Sequence, residues 1–188
     1  MSREFRAGEP AKLENKDNVL SVRGYAATFD SETVIGGMYR EVIERGAFTE
    51  AVKNDDVRFL VNHEGLPLAR TKSGTLTLTE DERGLFIEAD LDLNDPDVQK
   101  IATKMERGDL DEMSFAFTPE VEEWDDSGEI PLRKLKRANL FDVAIVTYPA
   151  YNDTSIGIRS LQKFKEQKHS CDAVQARMRM KLALADKL

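Results

Sequence analysis

Between Thr75 and Leu93 two segments, TLTLTE (75–80) and LFIEADLDL (85–93), alternate apolar and polar residues on either side of EDERG. A period of two puts one face of each segment on a core and the other in water. A helix, whose faces repeat every 3.6 residues, cannot satisfy it. With a turn between them the segments form a hairpin, and the rest of the fold has to continue that sheet. The same pattern recurs elsewhere. In DLDEMSFAFTPE (109–120), Met113, Phe115 and Phe117 alternate with Ser114, Ala116 and Thr118. VLSVRGYAATFD (19–30) reads as a strand pair or a strand bent at Gly24, and LRKLKRANLFDVAIVTYPAY (132–151) as two strand-like pieces joined near Ala138–Asn139. VRFLVNH (57–63) is an almost unbroken apolar run, a central strand ending at His63, and EGLPLARTKSG after it is loop-like.

Two helices interrupt the strands. One starts near Ala47. The other lies in DPDVQKIATKMER (95–107), with Asp95 as N-cap, Pro96 at the first helical position, a buried stripe of Val98, Ile101, Ala102 and Met105, and Gly108 as its stop. Short strands without regular helix alternation favour an antiparallel barrel or sandwich over a doubly wound sheet. The expected fold is mainly β with flanking helices (α+β), a closed antiparallel β-barrel over residues 18–158. Residues 1–17 are polar and read as a flexible arm. Residues 159–188, with Leu161, Phe164, Val174, Met178 and Leu182 at helical spacing, read as a charged helical extension or linker.

Composition narrows the function classes. A net charge of −8 over 188 residues argues against nucleic-acid binding, which needs a basic footprint. No run of about 18 apolar residues suggests a membrane-spanning helix, and MSREFRAGEP lacks the apolar region of a secretory signal. A single cysteine, Cys171, excludes an internal disulfide framework and cysteine-rich zinc sites, so the default compartment is reducing cytoplasm. There are two histidines, His63 and His169, and no HExxH, P-loop or dinucleotide pattern, so neither cofactor nor metal is expected. The carboxylates Asp90, Asp92, Asp95 and Asp97 lack an EF-hand pattern. Cys171, near His169 in a charged tail, reads as a solvent-facing thiol.

Three residues stand out. His63 ends an apolar strand and should sit at its rim, where a side chain is both held and reachable; most such histidines simply bond a neighbouring backbone group. Ser114 lies on the small-residue face of its strand, where a serine usually satisfies itself on a carbonyl. As a nucleophile it needs a base, and only two histidines exist. Asp142 sits in the otherwise apolar NLFDVAIVTYP, where a carboxylate costs desolvation unless it is paired. Its partner is either a basic residue of RKLKR (133–137) or the imidazole of His63. RKLKR itself reads as a solvent-facing guard on a sheet edge, and Trp124 as a packing or rim aromatic.

Taken in order, VRGYAATFD, EVIERGAF, VRFLVNHEGLPLARTKSGTLTLTEDERGLFIEADL, DEMSFAF and LFDVAIVTYPAYNDTSI resemble the prohead (capsid maturation) serine proteases of tailed bacteriophages, relatives in fold of the herpesvirus assemblin proteases. The resemblance covers about residues 19–158. It implies a β-barrel of the herpesvirus-protease type and a serine endopeptidase (a peptide-bond hydrolase of EC 3.4.21 type). His63 would be its general base, Ser114 its nucleophile and Asp142 its third member. It further implies a homo-oligomer such as a dimer, acting in the host cytoplasm inside the immature capsid. There it would cut scaffold protein or the scaffolding segment of the major capsid protein, and itself. An extended substrate would add a strand beside the active-site strand. The alternative is a non-catalytic capsid assembly or scaffolding factor that keeps the protease fold.

Overall fold

The alternating segments form strands, and their apolar faces decide how the sheets meet. The computed structural model describes residues 3–148 and 160–168. The chain divides into two units, Met1–Thr154 and Ser155–Leu188. In the first, β1 (Glu4–Ala7), β2 (Lys12–Lys16), β3 (Val19–Thr28), β4 (Thr33–Ile35) and β5 (Tyr39–Ile43) lead to α1 (Thr49–Asn54). The hairpin β6 (Arg58–Val61) and β7 (Glu64–Arg70) follows, then β8 (Leu76–Glu80) and β9 (Gly84–Asp92). Next come α2 (Pro96–Glu106) and the long pair β10 (Glu112–Asp125) and β11 (Leu132–Val146). The Asp95 side chain accepts from the Asp97 amide and caps α2, with Pro96 in the first turn. In the second unit residues 160–168 are helical. The rest of the extension expected over 159–188, including His169 and Cys171, lies outside the described residues.

The smaller sheet runs β2-β3-β9-β8 and is antiparallel throughout. The larger runs β1-β10-β11-β5-β4, with β6 also on β11 and β7 on β6. β11 pairs antiparallel with β10 but parallel with both β5 and β6, which lie end to end along its other edge. The gap between them is closed by the flanks of α1: the Ala138 amide donates to the Ala47 carbonyl and the Leu140 amide to Asp55 Oδ2. Leu20, Val22, Ile87 and Leu91 of the smaller sheet and Met113, Phe115, Phe117, Val143 and Ile145 of the larger share one buried cluster.

Neither sheet closes on itself among the described residues, and the larger one is mixed. The expected closed antiparallel barrel is therefore overturned in favour of two sheets around one core. Alternation says which side of a strand is wet. It does not say whether the two outermost strands find each other. At one corner the sheets approach without forming a ladder: the Glu9 amide donates to the Tyr25 carbonyl at 2.9 Å. Gly8 makes that approach possible, because a Cβ there would lie 2.5 Å from the Ala26 carbonyl oxygen.

Three further expectations change. The stretch 1–17, read as a flexible arm, contains β1 and β2. EGLPLAR is an edge strand; Pro67 is tolerated there because an edge strand has one side without a ladder partner. RKLKR does not guard an edge. Arg133 is wholly buried on a central strand, where it donates to Glu4 at 2.6 and 2.8 Å, to Glu41 at 2.8 Å and to Glu122 at 2.6 Å. Arg6 completes the cluster, donating to Glu41 at 2.6 and 2.9 Å and to Glu4 at 2.7 Å. Burying two guanidiniums is sustainable because Glu4 and Glu41 each bond both of them and Glu122 adds a third carboxylate to Arg133. Burial would raise the Glu4 pKa, but hydrogen bonding and charge from Arg133 and then Arg6 outweigh it and hold Glu4 below its ordinary value. Burial also pushes the neighbouring Tyr39 hydroxyl up to about 12.

Candidate active site

The two faces of the β10–β11 pair divide the labour of the sheet. In β10 the large side chains Met113, Phe115 and Phe117 point into the core, so Ser114 and Ala116 point to the opposite face, where both are still wholly buried. In register, Ser114 lies opposite Ala144 and Ala116 opposite Asp142. The same face of β11 therefore carries Asp142 one cross-strand step from Ser114, with two alanines leaving the space between them clear.

His63 arrives from the third strand. Asn62 and His63 are the two central residues of the β6–β7 turn, between Val61 and its partner Glu64, with φ of +51° and +60°. Positive φ at both positions is the signature of a type I′ hairpin turn, whose twist matches the flanking strands. Asn and His occupy this left-handed region more readily than most residues, but still at a cost. The tip is held by tethers from Asn62: its amide donates to the Ile145 carbonyl at 3.0 Å, its side-chain oxygen accepts from the Thr147 amide at 2.8 Å, and its side-chain nitrogen donates to Thr147 Oγ1 at 3.2 Å. His63 thus sits on a fixed turn rather than at the end of a strand.

The three side chains meet. His63 Nδ1 is 2.6 Å from Asp142 Oδ1, and His63 Nε2 is 2.8 Å from Ser114 Oγ. Of the two partners open to Asp142 in the sequence, the structure supplies the imidazole and not RKLKR. The carboxylate side chain is 2% exposed and the imidazole 12%, so these contacts are formed largely out of water, where they are strong. A carboxylate against Nδ1 requires the proton on that nitrogen, which leaves Nε2 free to accept from the serine hydroxyl. Ser114 Oγ also lies 2.8 Å from the Arg6 carbonyl oxygen of β1. When the imidazole is neutral the hydroxyl donates to Nε2. When the imidazole is protonated Nε2 becomes a donor, and the hydroxyl turns its hydrogen to Arg6.

Ser114 is flanked by a strand on each side, β1 at Ala7 and β11 at Ala144. The expected substrate strand beside β10 therefore has no free edge to join there. A concavity of about 550 Å³ lies elsewhere, bordered by Tyr25, Arg83 and Phe86 and by none of the three residues. No cluster of metal-ligating side chains occurs among the described residues.

Sequence reasoning missed the companions of the three residues. Arg3 Nη1 is 3.5 Å from Asp142 Oδ2, and the Phe5 ring is 4.5 Å from the His63 ring, tilted by 55°. The available signal was the alternation of Glu4 and Arg6 with Phe5 and Ala7, hidden because both interior-facing residues of that strand are charged.

Among known proteins, the bacteriophage T4 capsid assembly protease, gp21, has a similar fold. The TM-score is 0.52 and the identity 13%, over 78% of this chain and 98% of that one. No curated protein matches the chain. Residues 8–170, which include Ser114, His63 and Asp142, match the family described as caudovirus prohead serine protease. The chain belongs to that family.

Proposed function

We propose that this protein is a serine endopeptidase of capsid maturation, with Ser114 as nucleophile, His63 as general base and acid, and Asp142 as the group that orients and stabilises the imidazole. The observation that carries the reading is the continuous hydrogen-bonded line from Asp142 through His63 to Ser114. Ser114 Oγ attacks the scissile carbonyl while His63 Nε2 takes its proton. As the tetrahedral intermediate collapses, the C–N bond breaks and the amine leaves with that proton. Water then attacks the acyl ester, again giving a proton to Nε2, and the acid product departs as Ser114 regains its hydrogen. Through both steps Asp142 faces the positive charge that forms on the imidazole.

The substrates are scaffold protein or the scaffolding segment of the major capsid protein, cut within the prohead, together with the protease itself. Family membership supports the first assignment; self-processing extends it, since enzyme and substrate would share one shell. The test is co-expression of the protease with its phage's capsid precursor. The precursor should be shortened by the wild type and remain full-length with Ser114→Ala. Equal processing by both forms would sink the assignment.

A further inference from the structure

The N-terminal segment touches each member of the line once. The Arg3 guanidinium reaches Asp142 Oδ2, and its central carbon lies 4.4 Å over the ring of the adjacent Phe141. Phe5 packs on the imidazole of His63, and the Arg6 carbonyl oxygen lies 2.8 Å from Ser114 Oγ. We infer that residues 3–7 are a positioning element of the active site, with Arg3 and Phe5 as its positioning residues. The inference rests on the protease reading given above.

Each contact answers a specific need. Asp142 has two oxygens in a buried position, and His63 uses only one of them. The other needs a partner if the carboxylate is to stay charged and still. The candidates around it are few. Arg58, opposite Asp142 in the β6 register, turns instead to the Asp56 carbonyl and carboxylate. Among the described residues, Arg3 is the cation paired with Asp142. The imidazole must also be prevented from swinging out of line, because a displacement of about 1 Å in such a group can cost roughly 100-fold in rate. The Phe5 ring covers one of its sides.

The segment is also built to stay in place. Glu4 and Arg6 alternate with Phe5 and Ala7, so one face of β1 is tied into the buried ion cluster with Glu41 and Arg133 while the other meets His63. A slip of one residue would exchange the faces and drive charged side chains against the imidazole. A strand lying beside the nucleophile could alternatively act as a plug that leaves before substrate binds. The buried ion cluster, which bonds Glu4 and Arg6 to Glu41 and Arg133, makes β1 a wall.

The test compares Arg3→Ala, Phe5→Ala, the double variant and Arg3→Lys in the full-length chain. Three readouts are used: kcat and KM on a peptide from the capsid precursor, labelling by a fluorophosphonate, and the Nδ1 proton resonance of His63. With only two histidines in the chain, His169→Gln assigns that resonance. Each single alanine should lower kcat about 3- to 10-fold with KM nearly unchanged. The double variant should lose on the order of 10- to 100-fold, and Arg3→Lys should recover most of the Arg3 loss. The His63 signal should move or broaden in both alanine variants while thermal unfolding stays put, because Arg3 is half exposed and Phe5 only partly buried. Rates within twofold of wild type and an unchanged signal would overturn the inference, and so would faster labelling, the mark of a plug. If the wild type neither cleaves nor labels, the protease reading fails, and the resonance alone decides whether Arg3 and Phe5 hold His63.

Discussion

Two buried polar clusters lie on opposite faces of β1, and they are built to opposite ends. In the Glu4–Arg6–Glu41–Arg133 cluster each guanidinium is met by carboxylates on several nitrogens. No proton has anywhere to go, and the arrangement only holds. In the Asp142–His63–Ser114 line there is one acceptor more than the hydroxyl hydrogen can satisfy, Nε2 or the Arg6 carbonyl. That surplus lets a proton move. Saturation makes a rivet; one open valence makes a candidate catalyst.

The comparison can be broken at either cluster. The largest effect should come from the line itself. Ser114→Ala, His63→Ala or Asp142→Asn should lower hydrolysis of the capsid precursor by on the order of 10⁴-fold or more while the thermal midpoint stays close to wild type. A variant that kept its rate would place the chemistry elsewhere. Next is Arg133→Met, which strands Glu4 and Glu41 without one of their cations and should destabilise the fold by about 3–5 kcal/mol in urea unfolding. Apolar replacement of Glu4, Arg6, Glu41 and Arg133 together at matched volume should recover most of that loss.

Smaller effects sharpen the contrast. Asn62→Ala should cost about 1–2 kcal/mol of stability, combining a left-handed backbone on alanine with the lost bonds to Thr147. It should also lower kcat, since His63 is the next residue of the turn. Asn62→Gly should restore the backbone part of the loss and leave the tether part. The last effect is a pH dependence carried by Glu4, flat near neutral pH and visible only in acid. Its folded pKa lies below the ordinary 4.5, so the unfolded chain binds more protons in that range and stability rises with pH. Its contribution is complete above about pH 4.5 and is lost as pH falls through the depressed folded value. Urea midpoints measured against pH should show this acid limb, and Glu4→Gln should flatten it.

Where the sequence spoke clearly, it did so through periodicity. The alternation in MSFAF put Ser114 opposite the large residues, and the lone carboxylate in LFDVAIV demanded a partner. Those features made the three residues candidates and left the partner of Asp142 open; the resemblance to the prohead proteases joined them, and the structure brings neighbours along the line within 2.8 Å. β1 was not legible for a reason that lies in the same rule. Glu4 and Arg6 are charged and buried, so an inside-outside reading assigns them to water. Arg133 failed the same way: its burial depends on Glu4, 129 residues distant in sequence. Sheet closure was unreadable because it depends on which edges meet, and strand alternation carries no record of its neighbours. β7 was lost to Gly65 and Pro67, residues that mark turns except on an edge.

The strands on both sides of Ser114 bear on inhibitor chemistry. Peptidomimetics that work by adding a β-strand beside a nucleophile have no vacant ladder at β10, where Ala7 and Ala144 already occupy the two edges. Ser114 is wholly buried, so a compound aimed at it as the proposed nucleophile would have to enter past His63, the more exposed partner of its pair with Asp142. A small serine-reactive warhead with little backbone of its own suits that approach better than a long extended peptide.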